Sequence, residues 1–296
     1  MGPRITRISA KFPISIQLTK SEPPFACFRV IRGPNPGGST FGFFVSFVVK
    51  TLPAMPSLPE TYSARVHELL IHAEKKNAAT IARLAPVIGA SVARGGVIHA
   101  FGSGHSDCIA REIIGRAGGL VCVSGVIDPT AGFIENHVGY GTSLIERYDR
   151  QYQLLPGETI IVISNSGKNS APLEVALYAQ QKGLHVVGLT ALAMSTTAKT
   201  VHPGGKNLHA IAAETLDNCG VPGDTLIEVT PGVFSGPTST LVGAMLLNLL
   251  MLSVIDWLKA NGHPIPVLRS QNLSGAIEFN RTVGGKYQGR LSRQLA

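Results

Sequence analysis

The stretch Ser164-Asn-Ser-Gly-Lys-Asn-Ser170 gathers three hydroxyls, two amides, a glycine and a lysine within seven residues. An apolar run of β-formers, Thr159–Ile163, comes directly before it, and a helical pattern follows. A second stretch of the same design, Phe101-Gly-Ser-Gly-His-Ser-Asp107, follows the run Val97–Phe101 and opens another helix. Glycine lets backbone N–H groups approach a ligand with no Cβ in the way. A helix N-terminus offers unpaired N–H groups and about half a positive charge. With serine hydroxyls as neutral donors, these features suit a phosphate. Ser, Asn and Gly are also ordinary helix caps and turn residues, so one such loop would mean little. Two at successive strand–helix junctions carry more weight. A third, Ser235–Met245, places Thr238, Ser239 and Thr240 at a helix start. There is no G-x-x-x-x-G-K-[ST], and Asp107 stands where G-x-G-x-x-G needs its third glycine, so ATP and NAD are disfavoured and no cofactor is expected.

Residues 60–94 carry apolar positions at helical spacing, with Pro86 expected to break or kink the helix. Short apolar strands are expected at Val97–Phe101, Leu120–Val123, Thr159–Ile163, His185–Leu189, Glu214–Leu216 and Thr225–Val229. Residues 128–153 read as a polar excursion, and a long apolar helix starts near Thr238. Strands alternating with helices predict an α/β fold, a parallel sheet covered on both faces. Ligands then bind outside the strand C-termini, where the strand order reverses.

The chain is 44% apolar and 15% charged, with a net charge of +8. Seven Lys/Arg against Glu22 put +6 of that into residues 1–54. The body is near neutral, and no nucleic-acid partner is expected. Residues 1–54, rich in Pro, Gly and Phe without a sustained period, read as a poorly ordered extension that is not part of the native protein, with Met55 as the natural start. Residues 55–262 form one domain and 263–296 a tail of little pattern. Cys27, Cys108, Cys122 and Cys219 show no metal-ligand spacing and suit a reducing, cytoplasmic compartment. Leu241–Leu258 is interrupted by Asn248, Ser253 and Asp256. That favours burial in a core or subunit interface over a membrane span.

The segments "GVIHAFGSGHS", "IIVISNSGKNSAPLEVALYAQQKGLHVVGLT" and "GPTST" resemble the sugar isomerase (SIS) domain family over roughly 57–262. The pattern S-x-S-G-x-x-[ST] is the family's phosphosugar loop, and the third segment is also similar to N-acetylmuramic acid 6-phosphate etherases. The likeness is strongest to uncharacterised single-domain SIS proteins. It implies a flavodoxin-like three-layer sandwich with a mainly parallel five-stranded sheet, and a homodimer or homotetramer. It further implies that Ser164, Ser166, Gly167 and Ser170 hold the phosphate of a hexose or N-acetylhexosamine phosphate. By the same token Gly102, Ser103 and Gly104 contact the sugar, with Ser239 and Thr240 near it.

Isomerisation needs a base to move a proton between C1 and C2 and an acid to open the ring. Candidates near strand C-termini are His105, Asp128, Glu135, His137 and Asp217. His105, inside the first cradle, is the best single choice for catalysis, although a helix-capping role fits it equally. Glu135 is the second catalytic candidate, from a loop over the crevice, although surface placement is the ordinary reading of both Glu135 and His137. Asp217 suits a turn cap, and Glu112 a pair on the helix surface. Some phosphoheptose isomerases of this group use zinc, but His99, His105 and His137 could meet only through the fold, and no metal is expected. An isomerase, an etherase and a non-catalytic phosphosugar sensor all remain open.

Overall fold

The computed structural model describes residues 14–19, 27–32 and 56–292. The chain divides into two units, Met1–Pro56 and Ser57–Ala296. In the first, β1 (Ile14–Thr19) pairs antiparallel with β2 (Cys27–Arg32). The rest of the expected extension lies outside the described residues.

The second unit opens with α1 (Leu58–Ala93), started by a capping box. The Ser57 N–H donates to Glu60 Oε2 at 2.7 Å, and the Glu60 N–H donates back to Ser57 Oγ at 3.4 Å. Pro86 does not end this helix, contrary to expectation. Interior proline costs about 3 kcal/mol. Leu84, Ala85, Ile88 and Val92 on either side of it are buried, and burying a Leu, Ile or Val side chain returns about 1.5–3 kcal/mol each.

There follow β3 (Ile98–Gly102), α2 (His105–Glu112), β4 (Val123–Val126), α3 (Tyr140–Tyr152), β5 (Thr159–Ile163), α4 (Ser170–Gln181) and β6 (His185–Thr190). After them come the short helices α5 (Leu192–Ser195) and α6 (Leu208–Ile211), then β7 (Glu214–Asp217). A separate ribbon of β8 (Ile227–Thr230) and β9 (Val233–Ser235) precedes α7 (Ser239–Ala260) and α8 (Ala276–Gly284). The five-stranded sheet has the order β4-β3-β5-β6-β7, parallel throughout. Every residue of β3 and β5 is buried, as their unbroken apolar runs require. α1, α2 and α7 pack on one face, while α3, α4 and α6 cover the other.

Three expectations are corrected. The strand placed at Leu120–Val123 lies at Val123–Val126, because Leu120 and Val121 bond instead to Val267 and Pro266 of the tail. The 128–153 excursion ends in helix α3, whose buried Gly141, Ile145 and Tyr148 are too few to stand out as a period. The stretch Thr225–Val229 belongs to the ribbon and not to the main sheet. The chain beyond residue 262 also packs on this unit, with Leu268, Ala276 and Tyr287 buried. Among the described residues, α7 is long and apolar enough to cross a membrane by composition. Here Val242, Leu246, Leu247, Leu250 and Val254 are fully buried in the core.

Candidate functional site

The chain leaves β3 for β4 on one side, then returns past β3 to β5. The order therefore reverses between β3 and β5, and the crevice opens where both cradle loops leave the sheet.

The first loop is shaped by glycine. A Cβ on Gly102 would stand 2.3 Å from the Ser106 carbonyl oxygen. Gly104 has φ +56° and ψ −133°, a conformation that side chains resist. Ser103 is buried, and His105 is the exposed first residue of α2.

In the second loop Gly167 has φ +64° and ties Ser164 to α6. Its N–H donates to the Ser164 carbonyl at 3.1 Å, and its carbonyl accepts from Leu208 at 2.8 Å. Among the described residues, nothing accepts from the backbone N–H groups of Ser166, Lys168 and Asn169 or from the hydroxyls of Ser164 and Ser166. The Ser170 hydroxyl at the start of α4 is fully buried and has no partner among the described residues. An orphaned buried hydroxyl costs free energy unless something binds it. Pro172, in the first turn of α4, needs no N–H partner there.

Residues 127–139 cross over both loops. Asp128 anchors them: it accepts from Thr130 N, Thr130 Oγ1, Gly132 N and Tyr140 OH at 2.5–2.9 Å. Burial pushes the Asp128 carboxyl up, but hydrogen bonds from Tyr140, Thr130 and Gly132 outweigh it and hold it below its ordinary range. A Cβ on Gly132 would stand 2.8 Å from Gly104 N, so the crossing loop rests on the glycine turn.

Glu135 lies at the junction. It is half-buried, not on the surface. Ser103 Oγ–H donates to Glu135 Oε2, Asn169 Nδ2 donates to Oε1 at 2.6 Å, and the Glu135 carbonyl accepts from Ala171 N at 2.8 Å. One carboxylate thus touches both cradle loops. Asn169 was not singled out in the sequence, although it stands inside the quoted loop.

The other candidates lie apart. His137 is exposed. His99 is buried within β3, bonded to Tyr148 and Glu158. Asp217 caps the turn at Cys219 and pairs with Lys76 at 2.7 Å. Glu112 pairs with Arg116. The start of α7 is not an open cradle: Asp224 accepts from Thr238 N, Thr238 Oγ1, Ser239 N and Ser239 Oγ at 2.6–3.2 Å. The Ser239 hydroxyl is thereby engaged within the protein, and Thr240 is exposed. Among the described residues, no group of three or more His, Cys, Asp or Glu side chains could hold a metal ion.

Residues 61–191 match the SIS domain model. A UPF0309 protein of Listeria monocytogenes is 34% identical over 233 residues, which is 78% of this chain and 97% of that protein. Another, from Caldanaerobacter subterraneus, is 36% identical over 66% of this chain and 82% of that one. A solved structure, phosphoheptose isomerase GmhA from Neisseria gonorrhoeae, is similar at a TM-score of 0.43 and 17% identity, over 66% of this chain and 95% of that chain. That structural likeness is too weak to say anything of substrate. At the level of sequence the relationship is plain, and this chain belongs to the UPF0309 family of SIS-domain proteins.

Proposed function

We propose that the protein binds a phosphorylated sugar in the β3/β5 crevice and isomerises it between aldose and ketose, with Glu135 as the base. The observation that carries this reading is the Glu135 carboxylate, held by Ser103 and Asn169 between the two cradle loops. The phosphate takes the open N–H groups and the serine hydroxyls of residues 164–170. The sugar then extends toward Gly102–His105. Glu135 takes the C2 proton of the open-chain aldose, leaving an enediolate with its charge on O1; a proton then passes from the C2 hydroxyl to O1, and Glu135 returns its own proton to C1 as C2 becomes the carbonyl. His105, whose side chain has no hydrogen-bond partner among the described residues, is free to serve ring opening.

The test is solvent deuterium incorporation at C2 of hexose and hexosamine 6-phosphates, followed by NMR. Ligands come from a thermal-shift screen of hexose, hexosamine, N-acetylhexosamine and heptose phosphates. A true ligand at a hundred times its Kd should stabilise the fold by about 2.7 kcal/mol. Lactate release from N-acetylmuramic acid 6-phosphate would identify an etherase instead. Binding without exchange or release favours a second reading, a phosphosugar sensor. Both Glu135 carboxylate oxygens already accept hydrogen bonds, as they would in a carboxylate that only braces two loops.

Replacing Ser166 by Ala is expected to weaken phosphosugar binding by about 1.5–3 kcal/mol, the value of a hydrogen bond to a charged group. Calorimetric titration checks this, and the melting temperature should hardly move, since the loop buries little core. Unchanged affinity with lowered stability would make Ser166 a structural cap.

A homodimer is also part of this reading. Leu241, Met245, Asn248, Leu252 and Ile255 repeat at the spacing of a coiled-coil seam along α7, and Leu241 and Leu252 are 49% and 57% exposed. Sedimentation velocity should show a dimer at micromolar concentration, and Leu252→Asp should shift it to monomer. A monomeric parent protein would refute this assembly.

A further inference from the structure

Behind the crossing loop lies a second cavity of about 310 Å³, with Val138, Gly139, Thr142, Glu174, Tyr178 and His202 in its wall. That size stands at the lower end of small-molecule sites, which run from about 300 to 1,000 Å³. We propose that it binds an unphosphorylated, polyhydroxylated ligand of monosaccharide size.

The chemistry starts at Glu174, whose side chain is 4% exposed. Its oxygens accept from Gly139 N at 2.6 Å and Thr142 N at 3.0 Å, so the carboxylate fills the N-terminus of α3. A carboxylate oxygen has two lone pairs, so each oxygen keeps acceptor capacity for the cavity. Opposite it, His202 Nδ1 accepts from the Gly204 N–H at 3.1 Å. The neutral ring therefore carries its hydrogen on Nε2, which stands 3.9 Å from Glu174 Oε1. That gap is too long for a hydrogen bond. A donor and an acceptor thus face the same space without satisfying each other. Neighbouring hydroxyls of a sugar match them: one accepts from His202 while the next donates to Glu174. Leu177 and Tyr178 supply an apolar wall for the C–H face, and the Tyr178 hydroxyl is turned to Asp149 at 2.8 Å.

Charge decides against a phosphate here. The helix N-terminus that would attract one already holds Glu174, and the buried carboxylate repels a second anion. Lys182, over the Tyr178 ring, is paired with Asp149 at 2.7 Å. The site is therefore complementary in kind to the cradle of residues 164–170.

Its position also couples it to that cradle. Val138 and Gly139 end the loop that carries Glu135. On the other side, Val201 N and Thr200 Oγ1 donate to the Lys168 carbonyl at 3.1 and 3.3 Å. An occupant would touch both segments that frame the first site.

The experiment is saturation-transfer NMR on the full chain with D-glucose, D-mannose and N-acetyl-D-glucosamine, with and without excess inorganic phosphate. Transfer to at least one sugar that survives phosphate is expected. His202→Ala should weaken it about tenfold, the equivalent of one lost hydrogen bond of about 1.4 kcal/mol, with the melting temperature unchanged. Glu174→Gln should weaken it too, with folding checked by circular dichroism because Glu174 also caps α3. Absence of transfer from all three sugars, displacement by phosphate, or equal transfer in folded His202→Ala would overturn the proposal. None of these outcomes depends on phosphosugar binding at the first site.

Discussion

Glu135→Gln is expected to lower turnover by about 10²–10⁴-fold, the usual contribution of a general base, while phosphosugar binding stays within a few-fold of the parent. The amide keeps nearly the shape of the carboxylate and can still accept from Ser103 Oγ through its carbonyl oxygen. It cannot take a proton. Exchange of the C2 hydrogen with solvent should fall in parallel with turnover, because both pass through the same proton removal. His105→Gln should reduce turnover of the ring-closed substrate more than exchange of the open-chain form, since its proposed role precedes the C2 step. A folded Glu135→Gln variant with undiminished exchange would remove Glu135 from the chemistry and leave it a brace between two loops.

The second large effect lies far from the crevice. Glu158 is buried and sits just before β5. It accepts from Val97 N at 2.9 Å and from Leu155 N at 3.0 Å, both its oxygens accept from Arg290 Nη2 at 2.8 Å, and it faces His99 Nε2 at 3.0 Å. His99 Nδ1 in turn lies 2.8 Å from Tyr148 OH, which lies 2.6 Å from Ser124 Oγ. Ser124 Oγ accepts from Ser292 N at 2.9 Å. The C-terminal segment is thereby tied to the edge strand β4. Glu158→Ala would strip the carboxylate from the Arg290 guanidinium, which keeps the Tyr152 and Gln153 carbonyls, and leave His99 Nε2 and the Val97 and Leu155 N–H groups without this acceptor. Breaking a buried pair from one side costs about 3–5 kcal/mol. Against a typical total of about 5–15 kcal/mol, that is a large fraction of the stability. Chemical denaturation should show it as a lower midpoint with little change in slope. A loss under about 1 kcal/mol would mean that the network is solvated and not structural.

The same network sets a direction with pH. Burial pushes the His99 ring down from its ordinary value of 6.5, against the pull of Glu158. For Glu158, burial pushes the carboxyl up, but hydrogen bonds from His99, Val97 and Leu155 outweigh it and hold the group below its ordinary 4.5. Both groups therefore bind protons more readily in the unfolded chain. Stability from His99 is full above 6.5 and falls as pH drops below that value. The Glu158 contribution is full above 4.5 and is lost as pH falls through its lowered folded value. Denaturation midpoints should thus decline on acidification from near pH 6.5, and His99→Gln should flatten the upper part of that decline.

The layer architecture was legible in the sequence because its causes are local. Val97–Phe101 and Thr159–Ile163 are unbroken apolar runs, and only a doubly covered strand can hide both faces of such a run. Each is followed at once by small and hydroxylated residues at a helix start, so the two glycine- and serine-rich loops could be placed without knowing the strand order. The long helix from Thr238 was readable for the same reason. Pro86 misled, because a local penalty is outweighed by burial contributed by distant residues. Helix α3 was hidden by its few apolar positions, and the tail by having no period at all.

What the sequence by itself determined is that strand-to-helix junctions carry clustered hydroxyls and small residues. Which of them is open to a ligand was decided by tertiary structure. The start of α7 has the same hydroxyl-rich composition as the loop at 164–170, yet Asp224, fourteen and fifteen residues earlier in the chain, folds back to fill it. Glu135 and Ser103 are 32 residues apart and Glu135 and Asn169 are 34 apart. They meet because β3 and β5 are neighbours in the sheet and the 127–139 loop crosses their ends. Glu174 and His202 face each other for a similar reason, one on α4 and the other in the connection after β6. Periodicity and capping depend on neighbours in sequence and are written there. A carboxylate's partner depends on strand order and loop path, which arise only when the whole core has packed.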